Sequence, residues 1–339
     1  MKKITIFSVL MASGFLSSCD FSDDCDYFGW LRVENNWQGY TDIPASPDLN
    51  YALFYSDSKG FQGEQKIQPN LQGIPDAVTL RMPMGTAKVI TYTKPNEQNE
   101  NSSLSKNIKF SNLENYAEAI AYVDYNQDDF GYKIAEPGLF YIGQADVDVK
   151  FEDTEVVKES DTQNLVPVLQ KQVTRFLEFR FHIGKDNPSL PNVTGIRTQL
   201  SGIATQIRLS TGEGVPESAV TCDYRATAVP KPGEPGYDAD NPSSENLADI
   251  QFKYSFSALD FLGRFDDYDN TSNILTIYAT LDNGEERKTS IDISPYLTYM
   301  EEPCMVARIN VDVSSDNLKL GVDFADYEAG LWEYYNIGK

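Results

Sequence analysis

Short runs in which apolar and polar residues alternate are the feature that most constrains how this chain folds. In FLEFRFHI (176–183), apolar residues take every second position, with Glu178, Arg180 and His182 between them. DIQFKYSF (249–256) and CMVARINVDV (304–313) repeat the pattern. Successive side chains of a strand point to opposite faces, so each run predicts a strand with one buried face.

The same pattern, with turn residues between the runs, extends along the chain. NILTIYATLDNGEERKTSIDI (273–293) predicts a hairpin whose tight turn lies at 282–284. GWLRVENNW (29–37), NYALFYSDSKG (50–60) and DAVTLRMPMGTAKVITYT (76–93) predict four strands. LFYIGQADVDVKF, which ends at Phe151, predicts a further strand with alternating valines.

One segment of the first half has a different texture. NLENYAEAIAY (112–122) lacks strict alternation and predicts one short helix.

The chain has 339 residues, a length that suggests two domains. The charged stretch 152–164 is either the linker between them or an exposed hairpin, and the boundary is placed near residue 160. The Pro- and Gly-rich stretch 229–246 predicts a long connection. We therefore predict an all-β protein with two Greek-key β-sandwich domains, residues 28–160 and 161–339.

The N-terminus has the layout of a secretory signal. Lys2 and Lys3 precede an apolar run, residues 4–16, that is too short to span a bilayer. The following LSSC resembles the lipobox of bacterial lipoproteins, which implies removal of residues 1–18 and acylation of Cys19, with palmitate as a typical acyl chain. The alternative is a secreted protein in which Cys19 forms a disulfide.

Acidic residues follow this cysteine directly. Asp20, Asp23 and Asp24 resemble the surface-export signal of Bacteroidota lipoproteins, whereas in other bacteria they would be a spacer. The resemblance implies a lipidated acidic tether over residues 19–27. It places the protein at the outer membrane, facing the cell surface.

The charge of the chain argues against one class of partner. There are 28 basic and 51 acidic residues, a net charge of −23. Without residues 1–18, which contain two lysines and no acid, 26 basic residues remain against 51 acidic ones, a net charge of −25. Phosphate binding needs a basic surface, so no nucleic-acid partner is expected.

The cysteine count leaves disulfide bonding open. Acylation of Cys19 would leave an odd number, and Cys222 and Cys304 are then the candidates for a disulfide, with Cys25 a further free or intermolecular thiol. With no CxxC pair and one histidine, a Cys/His zinc site is not expected.

The chain offers little material for catalysis or cofactor binding. His182 is the single histidine, and no GxSxG or phosphate-binding loop is present. DYNQDDFGY (124–132) begins like an EF-hand loop, but Asp129 stands where the loop needs glycine and Ala135 where it needs glutamate. We expect no enzyme activity, no cofactor and no metal site. The acidic loop FDDYDN (265–270) is either a solvated turn or a calcium loop.

The C-terminus is apolar and aromatic. Such an end either packs on its own fold or pairs with the open sheet edge of a partner. The candidate partner-binding residues are Leu331, Trp332, Tyr334, Tyr335 and Ile337.

A family resemblance adds a specific function. QLSGIATQIRLSTGE (199–213), with SCDFSDDCDY (18–27) and the strand GWLRVENNW, resembles the Bacteroidales fimbrillin-associated anchor and minor-subunit family, and a related lipoprotein family of the same layout. The resemblance implies transthyretin-like sandwiches in a fimbria, or pilus, whose subunits bind one another by strand exchange. The resemblance also implies that stalk subunits are processed by a cut at an accessible arginine. Here Arg32, Arg175 and Arg180 fall inside predicted strands rather than accessible loops, which favours an uncut anchor over a processed stalk subunit.

An alternative function is compatible with the same cell-surface location and the same fold. A surface glycan-binding lipoprotein beside a nutrient importer would need exposed aromatic residues. Trp37 is its candidate, whereas Trp30 lies in a predicted strand and is assigned to the core.

Overall fold

The computed structural model describes residues 27–38, 49–68, 77–95, 104–153, 162–231, 233–235, 249–264, 272–298 and 304–326. These residues form 23 strands and one short α-helix. The strands of the N-terminal half are β1 (Phe28–Asn36), β2 (Asn50–Ser56), β3 (Gly60–Lys66), β4 (Ala77–Pro83), β5 (Gly85–Thr93), β6 (Ile108–Ser111), β7 (Ile120–Val123), β8 (Tyr125–Gln127), β9 (Tyr132–Ile134), β10 (Tyr141–Val149), β11 (Asn164–Leu169) and β12 (Lys171–Gln172).

The C-terminal half continues the same architecture. Its elements are β13 (Arg175–Lys185), β14 (Val193–Ala204), β15 (Gln206–Arg208), β16 (Ala219–Arg225), β17 (Thr227–Ala228), β18 (Phe252–Ala258), β19 (Asp260–Phe261), β20 (Ile274–Leu281), β21 (Glu286–Asp292), α1 (Ser294–Leu297), β22 (Cys304–Val313) and β23 (Leu318–Asp326). The predicted all-β class is confirmed.

The strands form five sheets. Sheet A has the order β11-β1-β4, sheet B β12-β10-β5-β2-β3, and sheet C β15-β7-β6. Sheet D has the order β21-β20-β14-β16-β9-β8, with β19 also paired to β14, and sheet E has the order β17-β18-β13-β22-β23.

Sheet B is the middle layer of the N-terminal half. Phe54 of β2 packs with Leu31 of β1 in a core shared with sheet A. The adjacent Leu53 and Tyr55 point the other way, into a second core shared with sheet C. Burial on both faces explains why NYALFYS is nearly continuously apolar rather than alternating.

Sheets D and E enclose one core in the C-terminal half. The alternating residues of β13 and β18 supply stacked aromatic rings, with Phe179 and Tyr254 centred 5.1 Å apart. Tyr224 of β16 stacks on Phe256 from the facing sheet at 4.3 Å. These rings bury large apolar areas and hold the two sheets together.

Two local predictions have different outcomes. The hairpin over 273–293 is confirmed, because β20 and β21 pair around the turn at Gly284. The helix over 112–122 is wrong. Asn112 has a φ of 56°, a left-handed conformation that asparagine tolerates, and the chain then turns tightly before β7 begins at Ile120.

Strand pairing crosses the predicted boundary near residue 160. After that boundary, β11 runs parallel to β1 and β12 pairs with β10, both in the N-terminal half. Pairing also crosses the boundary at two further places. Strand β9, before the boundary, joins β16 of sheet D, and β15, after the boundary, joins β7 of sheet C. The two halves are therefore linked by shared sheets as well as by the chain connection.

Candidate interaction surfaces at the sheet edges

Most residues that the sequence singled out lie outside the described part of the chain. These are Cys19, Asp20, Asp23, Asp24 and Cys25 at the N-terminus, the acidic loop 265–270, and Leu331, Trp332, Tyr334, Tyr335 and Ile337 at the C-terminus. Their roles stay predictions. Within the described residues, no helix is long and apolar enough to cross a membrane.

The disulfide between Cys222 and Cys304 is absent from the described strands. Cys222 is a free thiol, fully buried in the core between sheets D and E. It lies opposite Leu200 in sheet D, whereas Cys304 lies opposite Phe176 in sheet E, so the cysteines belong to different layers. Burial raises the pKa of the Cys222 thiol to about 11, which keeps it protonated at neutral pH.

The polar groups around the predicted EF-hand-like stretch build a hairpin turn. Asp128 Oδ1 accepts hydrogen bonds from the backbone N–H groups of Phe130 and Gly131, and Oδ2 lies 2.7 Å from Lys133 Nζ. The lysine and the backbone donors lower the pKa of Asp128 to about 2. Across the described residues, no group of three or more His, Cys, Asp or Glu side chains is arranged to hold a metal ion.

Trp30 in β1 and Trp37, directly after β1, do not lie in the environments that the sequence predicted. Trp30 is half-buried on the outer face of sheet A, because the inward positions of β1 are those of Leu31 and Val33. Its assignment to the core is therefore wrong. Trp37 is also half-buried, with its ring 5.4 Å from that of Tyr141, and does not form the exposed platform that the glycan alternative needs.

Strand β23 is an open edge of sheet E. It pairs along nine residues with β22 and has no hydrogen-bonded strand on its other side among the described residues. Two other long edges carry features that disfavour pairing: β21 is rich in charged side chains, and β3 has a bulge opposite Phe54 and Tyr55 of β2 and a glycine, Gly63, with a φ of 144°.

The core is incompletely covered beside β23. Leu318 is buried, but Leu320 and Val322, which point the same way, are only partly buried against the core of sheets D and E. Lys319 and Gly321 face solvent on the other side. A strand added next to β23 would extend sheet E and cover this margin.

Strand β11 presents a second accessible apolar feature. Leu165 and Leu169 are 48% and 43% exposed, and Pro167 between them is exposed on the same face. Asn164, in contrast, is tied to Lys150 at the end of β10 by two hydrogen bonds. The three exposed apolar residues therefore lie on a strand that is held in place at one end, rather than in a loose loop.

Sequence comparison alone does not place the chain. No family model matches it, and the curated proteins include no significant match.

Comparison with solved structures gives a consistent fold. A candidate adhesin from Bacteroides thetaiotaomicron has a TM-score of 0.57 and 13% identity, with 89% of this chain and 97% of that one covered. The fimbrial anchor protein Mfa2 from Porphyromonas gingivalis has a TM-score of 0.54 and 9% identity, with 88% and 97% covered. A candidate adhesin from Bacteroides ovatus has a TM-score of 0.53 and 11% identity, with 88% and 94% covered.

These matches define a fold class. The chain shares its fold with Bacteroidales proteins that include a fimbrial anchor, over nearly the full length of both partners. The resemblance that the sequence indicated is confirmed at the level of the fold.

Proposed function

We propose that this protein is an outer-membrane lipoprotein that serves as an anchor or accessory subunit of a fimbria. A partner subunit adds one of its strands to the open edge of sheet E, at β23. The lipid on Cys19 holds the protein in the membrane. The proposal assigns the chain no catalytic step and no cofactor.

The observation that carries this proposal is the geometry of β23. The strand is long, has no hydrogen-bonded neighbour on one side within the described parts of the chain, and lines a margin of the core at Leu320 and Val322 that is only partly covered. A partner strand would gain main-chain hydrogen bonds from the edge and apolar contacts from this margin. The aromatic segment 327–339, which contains the candidate partner-binding residues named from the sequence, follows β23 directly in the chain.

The test is co-purification of partner subunits with the tagged protein from outer membranes. Gly321→Lys places a charge on the open edge, where the new side chain has room because its nearest neighbour, Asn310 Cβ, is 3.6 Å from the added Cβ. We expect at least a severalfold loss of co-purifying fimbrial subunits. Deletion of 328–339 should give a similar loss without changing membrane attachment.

A matched control exists on the opposite edge of the same sheet. Thr227→Lys adds the same charge at an exposed position of β17, which is only two residues long. It should leave the captured subunits unchanged. Equal capture by the Gly321→Lys variant and the wild type, at equal melting temperature, would overturn strand addition at β23.

A further inference from the structure

The outer face of sheet D carries a row of basic and aromatic side chains that runs across the strands. Lys288, Tyr278, Arg197 and Arg225 are direct register partners on β21, β20, β14 and β16. All four point away from the core, whose residues occupy the alternate positions of these strands. Three strand spacings separate the ends of this basic row, a span of about 14 Å.

The two arginines stand directly opposite each other, an arrangement that is normally unfavourable. Arg197 is compensated: its Nη1 donates a 2.8 Å hydrogen bond to the buried Asp223, and Glu286 lies 3.7 Å from its Nη2. Its guanidinium also stacks 3.8 Å from the centre of the Tyr278 ring.

The cations at the two ends of the row are uncompensated. Arg225 and Lys288 are exposed, and neither forms an ion pair with any described residue. In a chain with a net charge of −23, two such cations on one face are available to an anionic ligand.

An aromatic ring from the N-terminal half is held over the arginines. Phe130 lies at the tip of the β8–β9 hairpin, 5.2 Å and 5.3 Å from the guanidinium carbons of Arg197 and Arg225. Its carbonyl accepts a hydrogen bond from Gln199 Nε2, and its N–H donates to Asp128. The ring is fixed at its base yet 47% exposed, so one face remains accessible.

A second row beside the first is composed of hydrogen-bonding groups. Ser290, Thr276 and Gln199 are register partners on β21, β20 and β14. The Tyr278 hydroxyl donates to Gln199 Oε1 at 2.9 Å, and the hydroxyls of Thr276 and Ser290 are 2.9 Å apart. The next register partner in this row is Asp223 on β16, which is buried and paired with Arg197, and Glu286 is exposed at the margin of the first row. The two rows together form a strip of cations, rings, hydroxyls and an amide.

We propose that this strip binds a linear acidic polysaccharide lying across the strands of sheet D. Arg225 and Lys288 would bind its carboxylates, while Phe130 would stack on the apolar face of a sugar ring. The hydroxyl and amide row would meet the sugar hydroxyls. An acidic peptide would use the cations but not the exposed ring or the adjacent row, which is why the saccharide fits better.

The test uses three polymers in affinity electrophoresis and calorimetry of the intact protein. Polygalacturonate carries both sugar rings and carboxylates, its fully methyl-esterified form keeps the rings without the charge, and polyglutamate carries carboxylates without sugars. We expect binding of polygalacturonate that weakens with salt, and at least tenfold weaker binding of the other two. Equal binding of polyglutamate would overturn the saccharide assignment, and absence of polygalacturonate binding would overturn the site.

Variants locate the site on this face. Arg225→Ala removes one exposed cation and should weaken polygalacturonate binding by about tenfold. Phe130→Ala should weaken it severalfold, because only the stacking contact is lost. Arg208→Ala removes an arginine that is also exposed, from sheet C, and should leave polygalacturonate binding unchanged. Equal losses in the Arg225 and Arg208 variants would show a response to net charge alone and overturn the site.

This inference is independent of strand addition. Sheet D and the edge of sheet E are different surfaces, so Gly321→Lys should leave polysaccharide binding intact.

Discussion

Arg180 Nε donates a 2.5 Å hydrogen bond to Glu178 Oε1, and both side chains are almost completely buried, with 2% and 4% of each residue exposed. Both lie on β13, the central strand of sheet E, on the face opposite the aromatic core. Val306 of the neighbouring β22 is buried on the same face. The outer face of sheet E is therefore closed to water at its centre.

Removal of the arginine should destabilise the protein strongly. Arg180→Met would leave the Glu178 carboxylate buried without its partner, and such losses cost about 3–5 kcal/mol. The expected result is a lower midpoint of urea unfolding at neutral pH, with the free energy of unfolding reduced by that amount.

A double variant separates the lost ion pair from lost packing. Glu178→Gln combined with Arg180→Met removes both charges, so it should recover a large part of the stability lost in the single variant. Arg208→Ala, at an exposed position, should lie within about 0.5 kcal/mol of the wild type. A single variant less than about 1 kcal/mol below the wild type would contradict a coupled, buried pair.

Stability should fall at alkaline pH. Burial raises the pKa of Cys222 to about 11 and raises the pKa values of Tyr224 and Tyr254 well above their ordinary range. An unfolded cysteine titrates near pH 8.5, so the unfolded state loses its proton first. The stabilisation is complete below that pH and is lost as the pH rises through the folded pKa.

Urea unfolding between pH 7 and pH 11 measures this effect. Cys222 alone should account for about 3 kcal/mol of the decline, because its pKa differs by about 2.5 units between the two states and each unit corresponds to about 1.4 kcal/mol. Cys222→Ala should reduce the slope of stability against pH above pH 9. An identical slope in wild type and variant would show that the thiol does not titrate differently in the two states.

A strand glycine tests the packing that links the segment after residue 160 to the N-terminal half. A Cβ on Gly143 of β10 would lie 2.6 Å from Val168 Cγ1 and 2.7 Å from the Leu169 carbonyl oxygen, both on β11. Gly143→Ala should therefore destabilise the protein by about 1–3 kcal/mol, as overpacking does. Thermal unfolding monitored by circular dichroism measures the change.

Gly195 is the matched control. It also lies in a strand, but the nearest atoms to its added Cβ belong to Thr280 at 3.9 Å. Gly195→Ala should leave the melting temperature nearly unchanged or raise it slightly. Equal effects of the two substitutions would mean that β10 and β11 are not in close contact.

The sequence predicted strands well because alternation is a local signal. The strand over 176–183 and the hairpin over 273–293 both form. Whether the polar face of a strand is exposed or buried, in contrast, is not determined by the local sequence. Glu178 and Arg180 alternate as solvent-facing residues do, yet they are buried, because the environment of that face depends on segments distant in sequence.

Sheet membership was also beyond a local pattern. Strands β4 and β5 are separated by one residue but belong to sheets A and B, and β11 joins sheet A as a parallel neighbour of β1. Such pairings join distant segments and leave no mark in a single strand. Phe130 was missed for the same reason: within its own segment it is a turn residue, and only the fold places it over Arg197 and Arg225.

Membrane attachment should depend on one of the two N-terminal cysteines. Cys19 is the last residue of the lipobox-like LSSC motif, whereas Cys25 lies six positions later, after the acidic residues. Each buried methylene of an acyl chain contributes about 0.8 kcal/mol, so loss of the acyl chains should release the protein from the membrane. Cys19→Ser should abolish incorporation of labelled palmitate and move the protein to the aqueous phase of a detergent partition, while Cys25→Ser should remain labelled and membrane-bound. Labelling that survives in Cys19→Ser would contradict acylation at this position, and loss of labelling in both variants would point to a folding or export defect instead of the acylated residue.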